Sequence, residues 1–297
     1  MIGDSKKMST NYQNVAIIGG TGQLGQYLTR EFLSQGSFKV KVLTRTESKA
    51  TELQEEFRKK GAEIIQVDYE DQGSIISALQ NTHVLISALG SYDLFENQER
   101  FINAAKEAGV SRFIPSEFGT DVEGNTSPFF APKVKTREVL ETSGLEYTYY
   151  INGFFIEHLL VPHLGFDIKN SKVSIIGKGE TKISVTSLND VAKFVVGTVN
   201  LPQARNNKLI ITGDETTLLD IANNAAKIKA KSFEIEYIPI EKAHAILADE
   251  STDGLTKVLT GLRLEIENGG IFNKGNDASL VNGLKPVTVR EYIQANL

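Results

Sequence analysis

The run Val15-Ala-Ile-Ile-Gly19-Gly-Thr-Gly22-Gln-Leu-Gly25 constrains the fold more than any other segment of the chain. A short apolar stretch ends in glycines, after which Leu24, Leu28 and Phe32 recur at helical spacing until Gly36 stops the segment. That order reads as strand, tight turn and helix. Such a turn lets the backbone approach a pyrophosphate at the positive end of the helix. The glycines satisfy both Gly-x-x-Gly-x-x-Gly and Gly-x-Gly-x-x-Gly, so Gly19, Gly20, Thr21, Gly22, Gln23, Leu24 and Gly25 are the expected dinucleotide-binding residues.

The alternation continues. The pattern predicts strands over Phe38–Leu43, Glu63–Val67, His83–Ala88, Arg112–Pro115 and Tyr147–Ile151, with helices over Lys49–Lys60, Ser74–Leu79, Gln98–Ala108 and Lys133–Thr142. Parallel neighbours need crossover helices, so this series implies an α/β fold with a doubly wound, Rossmann-like parallel sheet. Residues 1–13 are expected to form a flexible tail, residues 14–153 the nucleotide-binding domain, and residues 154–297 mainly a smaller C-terminal substrate lobe, with some segments returning to the nucleotide domain. In that second half Lys172–Ile176 and Lys208–Thr212 read as strands, and Ser187-Leu-Asn-Asp190 as a capped helix start.

Composition narrows the function. A formal charge of -5 gives no basic face for nucleic acid. With no cysteine, thiol catalysis and disulfides are excluded. The histidines at 83, 158, 163 and 244 make no recognisable ligand spacing, so no metal is expected. No stretch of apolar residues is long enough to span a membrane and the N-terminus lacks an apolar signal core, so the expected location is cytoplasmic.

The end of the second strand selects the cofactor. An acidic residue there holds the ribose of NAD, whereas a basic one accommodates the extra phosphate of NADP. This chain has Arg45, with Lys49 as a second positive charge, which favours NADPH/NADP+. Asp68 and Tyr69, and the stretch Ala88, Leu89 and Gly90, fall at strand carboxyl ends where they would wall the adenine and ribose. Of the 9 tyrosines, none has a lysine four positions on, so the Tyr-x-x-x-Lys pair of many dehydrogenases and epimerases is absent.

Several runs together resemble the NmrA-like or isoflavone reductase-like family of atypical short-chain dehydrogenases. They are Gly19-Gly-Thr-Gly-Gln-Leu-Gly25, Leu43-Thr-Arg45, Arg112-Phe-Ile-Pro-Ser-Glu-Phe-Gly119, Lys133 placed ahead of Tyr147-Thr-Tyr149, Phe272-Asn-Lys-Gly275 and Val287-Thr-Val-Arg-Glu-Tyr292. The resemblance implies that Lys133 lies beside the nicotinamide and serves in proton transfer, and that Phe155 forms a pocket wall against it. Where plant-type reductases tend to have Ser-Asn-Cys-Phe, this chain reads Asn152-Gly-Phe-Phe155, closer to the fungal NmrA-like pattern. Phe154, His158 and Arg137 are candidate substrate contacts, with core packing for Phe154 and a helix-surface pair to Glu138 or Glu141 for Arg137 as the plainer readings.

Two functions follow as expectations. One is an NADPH-dependent reductase that transfers hydride to a small carbonyl or conjugated double bond. The other is an NmrA-type redox sensor that binds the dinucleotide and acts through protein partners without turnover.

Overall fold

The computed structural model describes residues 11–45, 51–90 and 94–296. Its first half alternates β1 (Asn14–Ile18), α1 (Gln23–Ser34), β2 (Lys39–Arg45), α2 (Glu52–Lys59), β3 (Glu63–Val67), α3 (Gln72–Ala78), β4 (Val84–Ser87), α4 (Leu94–Glu107), β5 (Arg112–Ile114), α5 (Ala131–Ser143) and β6 (Glu146–Ile151). The second half carries β7 (Phe154–Phe155), α6 (Ile156–Leu159), β8 (Phe166–Asp167), β9 (Lys172–Ile176), β10 (Lys182–Thr186), α7 (Leu188–Thr198), β11 (Asn207–Ile210) and β12 (Asp214–Thr217). It ends with α8 (Leu218–Lys229), β13 (Glu234–Ile238), α9 (Ile240–Ala248), α10 (Gly254–Glu267) and α11 (Val289–Asn296).

Seven strands form one parallel sheet in the order β11-β6-β5-β4-β1-β2-β3. Both faces are covered, which is why β1 is apolar at every position after Asn14 rather than at alternate ones. Successive side chains of a strand point to opposite faces, so Val15 and Ile17 enter one core cluster while Ala16 and Ile18 enter another. The spacing of Leu24, Leu28 and Phe32 puts all three on the buried face of α1, where they share a cluster with Val191, Phe194 and Val195 of α7. Full burial of side chains such as Leu28 and Phe32 stabilises the fold by about 1.5–3 kcal/mol each.

Strand order reverses between β1 and β4, and in open α/β sheets the crevice beyond the strand carboxyl ends at such a point is where ligands bind. Two smaller sheets, β12-β10-β7 and β13-β9-β8, sit outside the central one. A third core cluster, containing Phe154, Ile156, Phe166, Ile175, Ile183 and Val185, packs them together.

The strand expected at Lys208–Thr212 is β11, which pairs in parallel with β6 as an edge strand of the nucleotide half, and α7 packs on α1. Strand β3 has the bounds expected from sequence. Helix α5 starts two residues earlier than its pattern suggests, because Pro132 falls in the first turn, where its missing N–H costs no helical hydrogen bond.

Of the loose tail expected over residues 1–13, residues 1–10 lie outside the described residues, but Tyr12 is held by the fold. Tyr12 is buried in the main cluster, its N–H donates to Asn200 Oδ1 at 2.8 Å and its hydroxyl donates to Glu146 Oε2 at 2.9 Å. The reason is the fully buried Arg112, whose guanidinium lies 5.1 Å from the Tyr12 ring centroid and attracts its face. Arg112 also donates to the Val199 carbonyl at 2.8 Å and pairs with Glu146, its register neighbour on β6, at 2.9 Å. One guanidinium thus joins the chain start, β5, β6 and the end of α7.

Arg112→Met is expected to destabilise the protein by about 2–3 kcal/mol, since it leaves a buried carbonyl without a donor and weakens the hold on a half-buried carboxylate. Chemical denaturation measures this; an unchanged midpoint would contradict the role given to Arg112.

Candidate functional site

The glycine turn lies at the carboxyl end of β1. Gly19 adopts φ +72°, a left-handed conformation, and the Gly22 N–H donates to the Gly19 carbonyl at 2.8 Å to close the turn. A Cβ on Gly25 would stand 2.0 Å from that same carbonyl, so helix and turn touch backbone to backbone. The helix cap, Gly22, has no side chain to satisfy the first N–H groups of α1. Uncapped donors at the positive end of a helix suit an anion.

The surrounding residues come from neighbouring strand ends. The Ala88 N–H donates to the Ile18 carbonyl at 2.9 Å, and the Ala88 carbonyl lies 2.8 Å from where a Gly19 Cβ would be. Ser116 Oγ donates to the Leu89 carbonyl at 2.8 Å, which ties the β4 end to the β5 end. Gly90 is exposed. Arg45, exposed at the end of β2, places its guanidinium 5.7 Å from the ring centroid of buried Tyr69. Tyr69 in turn packs edge-on against Phe101 at 4.9 Å, and burial pushes its hydroxyl pKa up to about 12, so it stays a neutral platform. The Asp68 carboxylate accepts from the Glu70 N–H at 2.9 Å and shapes the turn after β3. Lys49 lies outside the described residues.

Lys133 is on the first turn of α5 and donates from Nζ to the backbone carbonyl of Glu117. Lys133 is partly buried: burial lowers its pKa, the Glu117 carboxylate acts to raise it, and the Arg137 charge acts to lower it. The amine stands 3.0 Å from where a Gly119 Cβ would lie. The Gly119 carbonyl accepts two hydrogen bonds of 2.9 Å, from the N–H groups of Asn152 and Gly153. Lys133 is therefore linked through Gly119 to the segment that continues directly into Phe154 and Phe155.

These two phenylalanines diverge. Phe154 is buried in the core cluster around the smaller sheets, the plainer reading of its role. Phe155 is only partly buried and meets the His158 ring at 5.1 Å in an edge-on contact. His158 Nε2 is buried without a hydrogen-bond partner among the described residues, and burial, with a smaller contribution from His163, lowers its pKa. The imidazole is thus held neutral at physiological pH.

Arg137 is engaged by protein groups on the loop before α5 and on β6. Its guanidinium pairs with fully buried Glu117 at 2.7 Å and with Asp121 at 3.1 Å, and it lies 4.5 Å from the Tyr149 ring centroid. The surface pair with Glu138 or Glu141 gives way to this one, because the buried carboxylate across the loop is the stronger partner in a low-dielectric setting. Sequence reasoning missed Glu117, although it sits within the quoted Pro115-Ser-Glu-Phe-Gly119 run. It also missed Glu157, whose carboxylate accepts from the Leu188 N–H at 3.1 Å at the start of α7 and whose pKa burial raises. Asp190 goes beyond its expected cap: it accepts from Ser187 Oγ at 2.7 Å and from the Val287 N–H at 2.9 Å, which holds the C-terminal segment.

No cluster of metal-ligating side chains occurs among the described residues, and no helix there is long and apolar enough to cross a membrane.

The fold and the glycine turn define a doubly wound α/β protein with the ligand crevice of dinucleotide-binding proteins. Residues 11–293 match the model of the NmrA-like family, and the chain belongs to that family. It is 31% identical to isoflavone reductase homolog IRL of Zea mays, covering 96% of this chain and 99% of that protein. It is 30% identical to phenylcoumaran benzylic ether reductase PT1 of Pinus taeda, covering 94% and 97%. The solved structure of AtPrR2 with NADP+ and (+)pinoresinol superposes with a TM-score of 0.82 at 24% identity, over 98% of this chain and 100% of that one, a likeness of fold.

In an ordinary helix, alanine in place of glycine adds about 1 kcal/mol of stability. At Gly25 the sign should reverse, because the new methyl would overlap the Gly19 carbonyl. A lower melting temperature for Gly25→Ala is expected; a higher one would contradict the tight contact between turn and helix.

Proposed function

We propose that this chain is an NADPH-dependent reductase that reduces a small carbonyl or conjugated double bond. The observation that carries the reading is Lys133: a partly buried amine of lowered pKa, held on the Glu117 carbonyl at the carboxyl edge of the same sheet that presents the uncapped glycine turn. The family and the named reductases among its relatives support it, as does the NADP+ held by a protein of the same fold.

The residues fit this cofactor. The N–H groups at the start of α1 would hold the pyrophosphate, Gly19 and Gly25 leave it room for close approach, and Arg45 on its Tyr69 platform would pair with the 2′-phosphate. Ala88 and Leu89 would line the same crevice, and Phe155 would shield the nicotinamide side from water. When bound, NADPH supplies the hydride.

The chain then has to manage one proton. Hydride addition leaves the substrate with a negative charge, and the Lys133 ammonium donates the proton that neutralises it, returning to the charged form from solvent. A lowered pKa makes that donation easier near neutral pH than from an ordinary lysine. The Nε2 atom of His158, buried and unpartnered, would hydrogen-bond the substrate next to Phe155. A sensor without turnover has no need of an amine tuned in this way.

Two variants test the reading. Arg45→Ala should cut the preference for NADPH over NADH by roughly 10- to 100-fold in fluorescence titrations, the loss of charge-assisted hydrogen bonds to one phosphate. Lys133→Ala should retain NADPH binding but lower NADPH oxidation against a panel of aldehydes, ketones and enones by about 10²–10⁴-fold. Equal oxidation rates in Lys133→Ala and the parent protein would remove the lysine from the mechanism.

A further inference from the structure

Lys133 and Arg137 lie one helical turn apart on α5, so their side chains leave the same face and reach the same loop. Both end on Glu117. Lys133 binds its backbone carbonyl and Arg137 binds its carboxylate oxygen Oε2 at 2.7 Å, while Oε1 has no partner among the described residues. Glu117 is wholly buried, so its charge is balanced mainly by this one guanidinium. Arg137 is itself fixed by Asp121 at 3.1 Å and by the Tyr149 ring beneath it. Asp121 is shared with Lys208, which also pairs with Glu123.

We propose that the Glu117–Arg137 pair is the positioning element of Lys133. It holds the loop carbonyl on which the amine rests and sets the charge that the amine experiences. This deepens the reading of the site as a lysine-assisted reductase and rests on it.

The two members act on the amine in opposite senses. Burial lowers the Lys133 pKa most, the Glu117 carboxylate favours the ammonium, and the Arg137 guanidinium disfavours it. Of the other charged groups nearby, Asp121 pairs with Arg137 and Lys208, Lys208 also pairs with Glu123, and Glu141 is held by the Tyr149 hydroxyl at 3.0 Å. Burial tends to raise the Asp121 pKa, but hydrogen bonds from Lys208, the Glu123 N–H and Arg137 outweigh it, so Asp121 stays charged near neutral pH. A residue that only filled space would not produce opposite electrostatic effects.

The test reads the amine directly. In protein labelled with 13C and 15N at the lysine side chains, the Lys133 signal is assigned by its loss in Lys133→Arg and followed through a pH titration. Glu117→Gln keeps the carbonyl and removes the carboxylate charge, and should lower the Lys133 pKa by about one pH unit. Arg137→Met leaves the carboxylate unopposed and should raise it by about as much, and E117Q/R137M should return it towards the parent value. If Arg137→Met does not fold, the fall in Glu117→Gln and its reversal in the double variant decide the matter. Shifts in the same direction, or none, would overturn the proposal.

Turnover separates this inference from the reading on which it rests. Because the ammonium is the proton donor, reduction should fail as pH rises through the Lys133 pKa, so the alkaline limb should move down in Glu117→Gln and up in Arg137→Met. An amine that shifts as expected while the limb stays fixed would support the positioning pair and contradict the catalytic role of Lys133.

Discussion

The contact between the Gly19 carbonyl and Gly25 governs how this molecule is built. It draws the start of α1 against the end of β1, which points uncapped N–H groups into the crevice where strand order reverses. The same proximity lets Leu24, Leu28 and Phe32 reach the core beneath, where α7 returns from the second half to meet them. A side chain at Gly25 would separate helix from turn, and one at Gly19 would meet the Ala88 carbonyl, so steric requirements at two glycines serve both the fold and the proposed phosphate site.

A second close approach, at Gly119, organises the other side of the crevice. Its carbonyl takes hydrogen bonds from Asn152 and Gly153, and the Lys133 amine packs where its side chain would be. The loop after β5, the first turn of α5 and the end of β6 therefore meet around one residue without a side chain. Charge is handled in the same place: Glu117 is buried but paired, Lys133 is partly buried and anchored on a carbonyl, and Arg137 is held by Glu117, Asp121 and the Tyr149 ring. Buried charges persist when each has a partner, and a lysine with only a carbonyl partner shifts its pKa instead.

The sequence made the central sheet legible because each of its first six strands is a short local pattern bounded by glycines or polar turns, and β3 and β9 match their expected bounds. What it did not reveal depends on distance along the chain. Strand β11 looks like any apolar segment until it pairs with β6, and Tyr12 looks like part of a polar tail until Arg112 is found beneath it. Arg137 illustrates the same limit at the site. Local helix rules offered Glu138 and Glu141, whereas its partners Glu117 and Asp121 come from the preceding loop, and burial made them the stronger pair. The glycine turn and Arg45 could be singled out from local sequence and Lys133 through the family resemblance, whereas the Tyr69 ring beside Arg45 and the Glu117 carbonyl beneath Lys133 emerged only from the packing.

The central claim is that this chain transfers hydride with the help of Lys133. Isotope transfer tests it most directly: the protein is incubated with NADPH deuterated at the hydride position and a metabolite extract from its source, with Lys133→Ala in parallel, and products are searched by mass spectrometry. A deuterated product formed by the parent protein and strongly reduced in the variant is the expected result. Bound NADPH with no labelled product, or equal labelling by both proteins, would contradict the account.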